Sequence, residues 1–462
     1  MKRTRRSWGK ALFLIPMLGP QVARASVDLN LDDTDSIKSA AKTAAAGMLK
    51  YYTGYRPGDV PGNLPSPYYW WEAGAMFGAM VEYWAYTQDA EWNDWTTQAL
   101  LWQVGADDNY MPANQTLSLG NDDQIFWAFA VMSAAELKYP NPPADKPQWL
   151  ALAENVFNSQ IQRWDTSTCG GGIHWQIYPT NKGYSYKNTI SNGGLFNVAS
   201  RLARYTQNQT YADWANKIWD WVEGVGFISD KFDIYDGADS DNNCTLIDKG
   251  EFAYLPAIFM HGAANMYNHT KGSTVWKKRL AGIVGALSPF YPNHDGVMAQ
   301  PCEVGAKCDL NQRSFKAYLS RFMAATIPLA PFTEGTLTSK LNNSAIAAAQ
   351  QCNGPDNACG QQWTERTKYS GLTGIGEQMS AMEAFKALLV HTQDAPAPVT
   401  QSTGGTSQGN SAGGSGSGSG SSDSGNVETR DITTGDRAGA GILTFLGASV
   451  SLAVGVFVTE LI

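Results

Sequence analysis

The chain has 462 residues, with 34 basic and 42 acidic side chains and a formal net charge of −8 at pH 7. An acidic chain without a basic patch excludes nucleic acid as the natural partner. Aromatic residues are abundant, with 16 Trp, 20 Tyr and 17 Phe, which is more than a helical core alone requires and leaves stacking surface for a ligand.

Residues 1–25 read as a secretory signal peptide. Lys2, Arg3, Arg5, Arg6 and Lys10 precede an apolar stretch at 11–18, and Ala23-Arg24-Ala25 offers a cleavage site. Removing this segment takes six basic residues and no acid, so the remainder carries −14. The six cysteines agree with an oxidising compartment. Spacing pairs Cys302 with Cys308 and Cys352 with Cys359, which leaves Cys169 for Cys244. Sequons at Asn114, Asn208, Asn243, Asn268 and Asn342 mark expected surface positions.

Between 26 and 400 the pattern is helical, apolar at i, i+3, i+4 and i+7. Starts are expected near Ser36, Tyr69, Ala90, Asp122, Gln148, Asn188, Tyr211, Glu251, Thr274, Asn311, Thr336 and Gly376. The connections alternate. Links from an even to an odd helix are short, such as "TQDAE" and "TQNQT". Links from an odd to an even helix are long, at 53–68, 105–120, 164–187, 226–250, 288–311 and 351–375. Even helices are apolar nearly all round and odd ones keep a polar face, so the even set is interior. This describes an all-α fold, an (α/α)6 barrel with inner and outer rings and one loop-rich end. Loops of that length in a compact domain are usually functional.

The C-terminal end changes character. Residues 401–425 are Ser/Gly-rich ("GGSGSGSGSSDSG") and read as a flexible linker. A polar spacer at 426–437 and an apolar tail at 438–458 complete the pattern of a GPI-attachment signal, with attachment among Ser421, Ser422, Asp423, Ser424, Gly425 and Asn426. The rival reading is a membrane-spanning tail. With the leader, this places the protein in the secretory pathway and, lipid-anchored, on the outer face of the plasma membrane.

Asp122 and Asp123 open the fourth helix, in "SLGNDDQIFWAFAVMSAAE". A helix start favours acids for structural reasons alone. At the start of an inner helix, however, the pair faces the loop-rich end of the ring. Adjacent helical carboxyls lie roughly 5–6 Å apart, closer to the separation of retaining glycosidases than to that of inverting ones. Like charges at that distance push one member towards the protonated acid and leave the other as carboxylate. The candidate sugar-contacting set is Trp70, Trp71, Asp108, Tyr110, Trp175, Asn188, Asn192 and Trp363, because aromatic faces and interspersed polar groups suit a sugar. The five histidines show no metal-ligand spacing, and no nucleotide fingerprint is present, so no cofactor is expected. The acidic loop "DKFDIYDGADSDNN" keeps calcium open as an alternative, although an EF-hand register from Asp239 puts Cys244 and Gly250 at the wrong places.

The stretches "YWWEAGAMFGAMVEYW" (69–84), "NDDQIFWAFAVMSAAE" (121–136), "NTISNGGLFNVASRLARYTQNQTYADWANKIWDW" (188–221) and "CGQQWT…GIGEQMSAMEAF" (359–385) resemble glycoside hydrolase family 76. Within it they are similar to the GPI-anchored fungal cell-wall members of mannan endo-1,6-α-mannosidase type. The resemblance implies an (α/α)6 barrel and a retaining mechanism with Asp122 as nucleophile and Asp123 as acid/base. It implies an α-mannoside donor, the mannose-containing GPI glycan, with transfer of GPI-linked proteins to a wall β-glucan acceptor, by a monomer. Two readings stand beside it: a hydrolytic endo-1,6-α-mannanase acting on wall mannan, and a non-catalytic glycan-binding wall protein. A terpene-cyclase-like toroid fits secretion badly.

Overall fold

A computed structural model describes residues 27–366 and 369–410; the signal peptide expected at 1–25, the part of the 401–425 linker beyond 410 and the GPI-attachment segment expected at 426–462 lie outside the described residues. Twelve α-helices follow one another. The outer set is α1 (Thr34–Leu49), α3 (Asn93–Trp102), α5 (Trp149–Ile161), α7 (Gln209–Val225), α9 (Thr274–Gly285) and α11 (Glu334–Gln351). The inner set is α2 (Trp70–Thr87), α4 (Asn121–Glu136), α6 (Thr189–Thr206), α8 (Tyr254–His269), α10 (Phe315–Thr326) and α12 (Ile375–Ala387).

Local chemistry sets the starts. Asp33 caps α1 by accepting from the backbone of Asp35 and Ser36, and Asn188 caps α6 by accepting from Ser191. Packing then sorts the helices. Each inner helix packs on the next, and α12 closes the ring on α2, while the odd helices cover the outside. In α7 the buried residues Tyr211, Ala212, Ala215, Ile218, Trp219 and Val222 form one stripe, as an outer helix requires. In α4 every residue is buried except Asp122 and Asp123. Helix α6 approaches both neighbours closely because Gly193 and Gly194 have no side chain: a Cβ there would stand 2.3 Å from Phe259 and 2.4 Å from Ile125. The expected (α/α)6 barrel is the observed fold.

The far end of the ring is closed by buried ion pairs. Glu82 of α2 accepts from Arg321 at 2.7 Å, from Lys386 at 2.6 Å and from Ser133 at 2.8 Å. Glu136 accepts from Arg201 at 2.7 and 3.0 Å and from Arg204 at 3.3 Å. The cleft is therefore blind, open only where the long links emerge.

Two of those links build a wall. A three-stranded antiparallel sheet joins β1 (Tyr186–Asn188), β2 (Gly237–Asp239) and β3 (Ile247–Asp248) in that order, with Tyr186 opposite Asp239. The Cys169–Cys244 disulfide ties the same two links, and Cys302–Cys308 and Cys352–Cys359 are each closed within one loop. After α12 the chain runs along the outer wall as a strap. Val399 N–H donates to Glu136 O (2.8 Å), Leu150 N–H to Ser407 Oγ (2.9 Å) and Asn410 N–H to Glu154 (2.5 Å). Residues 401–410, the first part of the linker read from composition, thus lie against α5.

Candidate active site

The first turn of α4 is held on all sides. Asn121 N–H donates to Trp175 O (2.8 Å), its amide donates to His174 O (2.8 Å), and Ile177 N–H donates to Leu119 O (3.3 Å). From behind, Arg163 Nε donates to Asn121 Oδ1 and Gln160 to Asn121 O, both at 2.8 Å. This pairing lays Trp175 beside the aspartates. Gly120 N–H donates to Asp123 Oδ2 (2.6 Å), and Asp123 N–H donates to Asp122 Oδ1 (3.0 Å). The position a Cβ would take on Gly120 lies 2.3 Å from Asp122 Oδ1 and 3.1 Å from Asp123 Oδ2. Those two oxygens are therefore at most about 5.4 Å apart, the sum of the two distances. The two carboxyls are therefore close-set, nearer to the retaining spacing of about 5–5.5 Å than to the roughly 6.5–9.5 Å of an inverting pair.

The two carboxyls differ electrostatically. Both stand at the mouth of the ring, partly covered and open to the cleft, and burial pushes both above the usual carboxylate range. Asp123 is pushed further by the charge of Asp122 and is relieved only by the Gly120 N–H. Asp122 is held lower by backbone N–H groups and by the side chains of Trp175 and Asn188. Asp122 is therefore the member that ionises first and Asp123 the member that keeps its proton, an ordering adjacency in sequence leaves undecided.

The pair stands where two compartments meet. The inner one, about 250 Å³, is lined by Trp71, Asp122, Asp123, Phe126, Trp175, Tyr186, Asn188, Ile190, Asp236, Tyr254, Asn311 and Phe315. The outer one, about 680 Å³, is lined by Asn63, Leu64, Tyr68, Tyr69, Trp70, Trp71, Leu117, Asp123, Trp175, Gln176, Asn181, Lys182, Asn311 and their neighbours. Asp122 faces only the inner compartment, whereas Asp123 faces both.

Of the sugar-contacting set read from the sequence, Trp70, Trp71, Trp175 and Asn188 line these compartments together with the aspartates. The other four stand elsewhere. Tyr110 is fully buried, stacked on Trp127 at 5.3 Å with its hydroxyl donating to Leu100 O. Trp363 is also fully buried, with Lys316 Nζ 4.1 Å from its ring. Asn192 spends its amide on Ile173 and on Asn188 O, so it braces the loop that carries Trp175. Asp108 lies on the outer side, where its carbonyl accepts from Asn155. In each case an aromatic or polar residue of the right type is absorbed by packing or scaffolding.

Sequence reasoning passed over Asp236, Tyr186, Tyr254, Asn311 and Phe315. Asp236 accepts from the Tyr186 hydroxyl (2.8 Å), and burial raises its carboxyl above the usual range. Asn311 borders both compartments, and its Oδ1 is buried without a hydrogen-bond partner. Tyr254, Asn311 and Phe315 sit at the starts of α8 and α10, the same position on their helices that identified Asp122 on α4. In the loop considered for calcium, Asp239 accepts from Asp241 N–H (2.9 Å) and Ser185 (3.2 Å).

The sequence pattern of "Glycosyl hydrolase family 76" matches residues 36–402. The mannan endo-1,6-alpha-mannosidase DCW1 of Saccharomyces cerevisiae is 44% identical over 434 residues, 92% of this chain and 94% of that protein. The crystal structure of Dfg5 from Chaetomium thermophilum in complex with glucosamine superposes with a TM-score of 0.79 at 43% identity, covering 83% of this chain and 97% of that one. A Salegentibacter family 76 α-1,6-mannanase, an inactive variant in complex with α-1,6-mannotriose, shares the fold at 16% identity and a TM-score of 0.62, covering 76% of this chain and 99% of that one. A barrel whose inner ring opens on two adjacent aspartates, matched to a family pattern over nearly all its described length, makes this chain a member of glycoside hydrolase family 76.

Proposed function

We propose that this cleft is a retaining α-mannosidase site that transfers the mannose-containing GPI glycan of surface proteins to a wall β-glucan. The observation that carries the reading is the position of Asp123 on the border of the two compartments, with Asp122 confined to the inner one. The inner compartment then takes the mannosyl unit and the outer one takes first the leaving group and afterwards the acceptor. In the first step Asp123 gives its proton to the glycosidic oxygen as Asp122 attacks the anomeric carbon, and the bond to the leaving sugar breaks. In the second step an acceptor hydroxyl gives its proton to Asp123 and displaces Asp122, so two inversions restore the α configuration. A stacking surface of Trp70, Trp71, Tyr69 and Trp175 around the outer compartment favours a sugar over water as acceptor. The glucosamine held by the Chaetomium relative is the sugar next to the first mannose of a GPI core, which supports that donor. The secretory leader and the tail pattern support a place on the outer face of the membrane and in the wall.

The names of the yeast relatives favour a second reading, hydrolysis of α-1,6-linked wall mannan. One experiment separates the readings. Wild type and Asp122→Asn are incubated with a mannosyl-α-1,4-glucosamine core glycan or with linear α-1,6-mannan, each with and without β-glucan oligosaccharide, and products are followed by mass spectrometry. A glucan-linked product from the core glycan, absent from the variant, supports transfer. Free reducing ends from mannan with no glucan adduct support hydrolysis. Binding without cleavage by both proteins leaves only a glycan-binding barrel.

A further inference from the structure

The exposed apolar side chains are distributed unevenly over the described surface. Of nine large hydrophobic residues that stand out of the core, Tyr55, Val60, Tyr69, Trp102, Leu117, Leu246 and Val304 lie in the long links or at helix ends beside them; only Val275 and Phe332 lie at the closed end. Three of the seven, Tyr55, Val60 and Leu117, belong to two neighbouring links, and Tyr69 and Trp102 stand at the helix ends beside those links. Gln103 staples these links together, donating to Pro61 O (2.6 Å) and accepting from Trp70 Nε1 (2.8 Å). Leu64, Tyr69 and Leu117 then share one wall of the outer compartment. Leu117 is 91% exposed and Trp102 60%.

We infer that this rim is a lipid-docking face, and that the mouth of the cleft rests on the outer leaflet of a bilayer. Leu117 and Val60 offer a sugar nothing beyond van der Waals contact, whereas Tyr55, Tyr69 and Trp102 suit a membrane interface as well as a sugar face. Contiguous apolar residues at a rim mark a protein or membrane contact. The chain itself points to the membrane. The strap ends where the Asn410 amide donates to Asn155 Oδ1 (2.5 Å), and the Asn155 amide donates to Asp108 O (3.2 Å) in the link that carries Leu117. The described chain thus ends midway along α5, on the same side of the barrel as the link that carries Leu117. The nearby charges are of both signs, Arg56 and Lys182 against Asp59, Asp107 and Asp108, which suits a zwitterionic surface. The inference deepens the proposed function: a donor glycan would be met while its lipid is still in the bilayer, with its sugar end in the outer compartment.

The barrel ending at Asn410 keeps the whole apolar core and the strap, so it tests the rim without the tail. It is floated with phosphatidylcholine vesicles beside a Val60→Asp/Trp102→Asp double variant and, separately, Leu117→Asp. Neither Val60 nor Trp102 lines the cleft, so cleavage of a soluble mannoside by the double variant should match wild type and shows that it is folded. The expected result is vesicle binding by wild type that falls about tenfold or more in each variant, the scale set by removing one or two apolar side chains from lipid. Wild type that stays unbound, or variants that float equally well, would overturn the inference. So would retention of wild type, lost in the variants, on insoluble β-glucan in place of vesicles, because the rim would then be a polysaccharide platform. Vesicle binding by a wild type that cleaves no mannoside would leave the docking face standing and remove the proposed function.

Discussion

Acidic side chains stand at both ends of the inner ring, and the two ends treat them differently. At the closed end, Glu82 and Glu136 each meet two cations, and Arg321 and Lys386 hold the Glu82 carboxyl well below the usual carboxylate range although burial works the other way. At the mouth, Asp122 and Asp123 have no cation beside them among the described residues; there they meet N–H groups, the Trp175 and Asn188 side chains, and each other. Burial acts on the acids at both ends. The difference is charge compensation, and it divides structure from chemistry: compensated acids lock the ring shut, and uncompensated acids keep a proton to give. Glu72, at the start of α2, shares the character of the mouth. Burial pushes it to about 7, and one of its oxygens finds no hydrogen-bond partner.

Substitutions at the two ends should break this comparison in different observables. The largest effect is expected at the pair itself. Asp122→Ala should lower kcat by about 10³-fold or more, with partial rescue by azide. Asp123→Ala should lose a similar factor on a sugar leaving group yet retain turnover on an aryl mannoside that needs no acid. Equal losses on both substrates would reverse the assigned roles. At the other end, Glu82→Gln leaves Arg321 and Lys386 without their shared anion, and denaturant unfolding should show a loss of about 3–5 kcal/mol. KM for a soluble mannoside should stay unchanged there, because Glu82 lies far down the ring from the cleft.

Gly120→Ala probes position rather than charge. Its new Cβ would lie 2.3 Å from Asp122 Oδ1, so the carboxyl must move. A displacement of this order costs about 10²-fold in kcat, with KM less affected. The smallest effect should be a gain. Folding raises the pKa of Asp123 above its unfolded value. Its contribution to stability is therefore complete below the unfolded carboxylate range and is lost as pH rises through the raised value. Asp123→Asn removes that loss, so the variant should melt about 2–4 °C above wild type at neutral pH. At acidic pH, where wild type carries the proton in both states, the difference should vanish. A constant difference across pH would show that packing, not charge, is the cause.

Much of the architecture was legible before any coordinates. Every helix start lies within four residues of its expected position, because an apolar period of 3.6 marks each helix and at α1, α6 and α7 a capping side chain, Asp33, Asn188 or Asn208, fixes the start. The alternation of short and long links was enough to place six helix starts at one mouth, and the adjacent aspartates stood out at one of them. The same argument applied to all six would have found Tyr254, Asn311 and Phe315. It was the choice among aromatics that failed. Trp175 and Trp363 are alike as letters, yet one lines the cleft and the other is fully buried beside Lys316. Burial depends on which segments meet, and those contacts join residues far apart in the chain.

The sequence by itself determined the periodic and the local: twelve helices, their inner and outer faces, three disulfide pairs and an aspartate pair at a helix start. Only the tertiary structure decided the rest. It placed Asp236 and Tyr186 in one compartment with Asp122, gave Asp122 and Asp123 unequal surroundings, left Asn311 Oδ1 without a partner, and fixed residues 401–410 to the outer wall. The physical reason is common to all four. Helical period and capping act between residues a few positions apart, whereas desolvation, Coulomb repulsion and hydrogen-bond satisfaction are set by neighbours in space, and those neighbours exist only once the ring has closed.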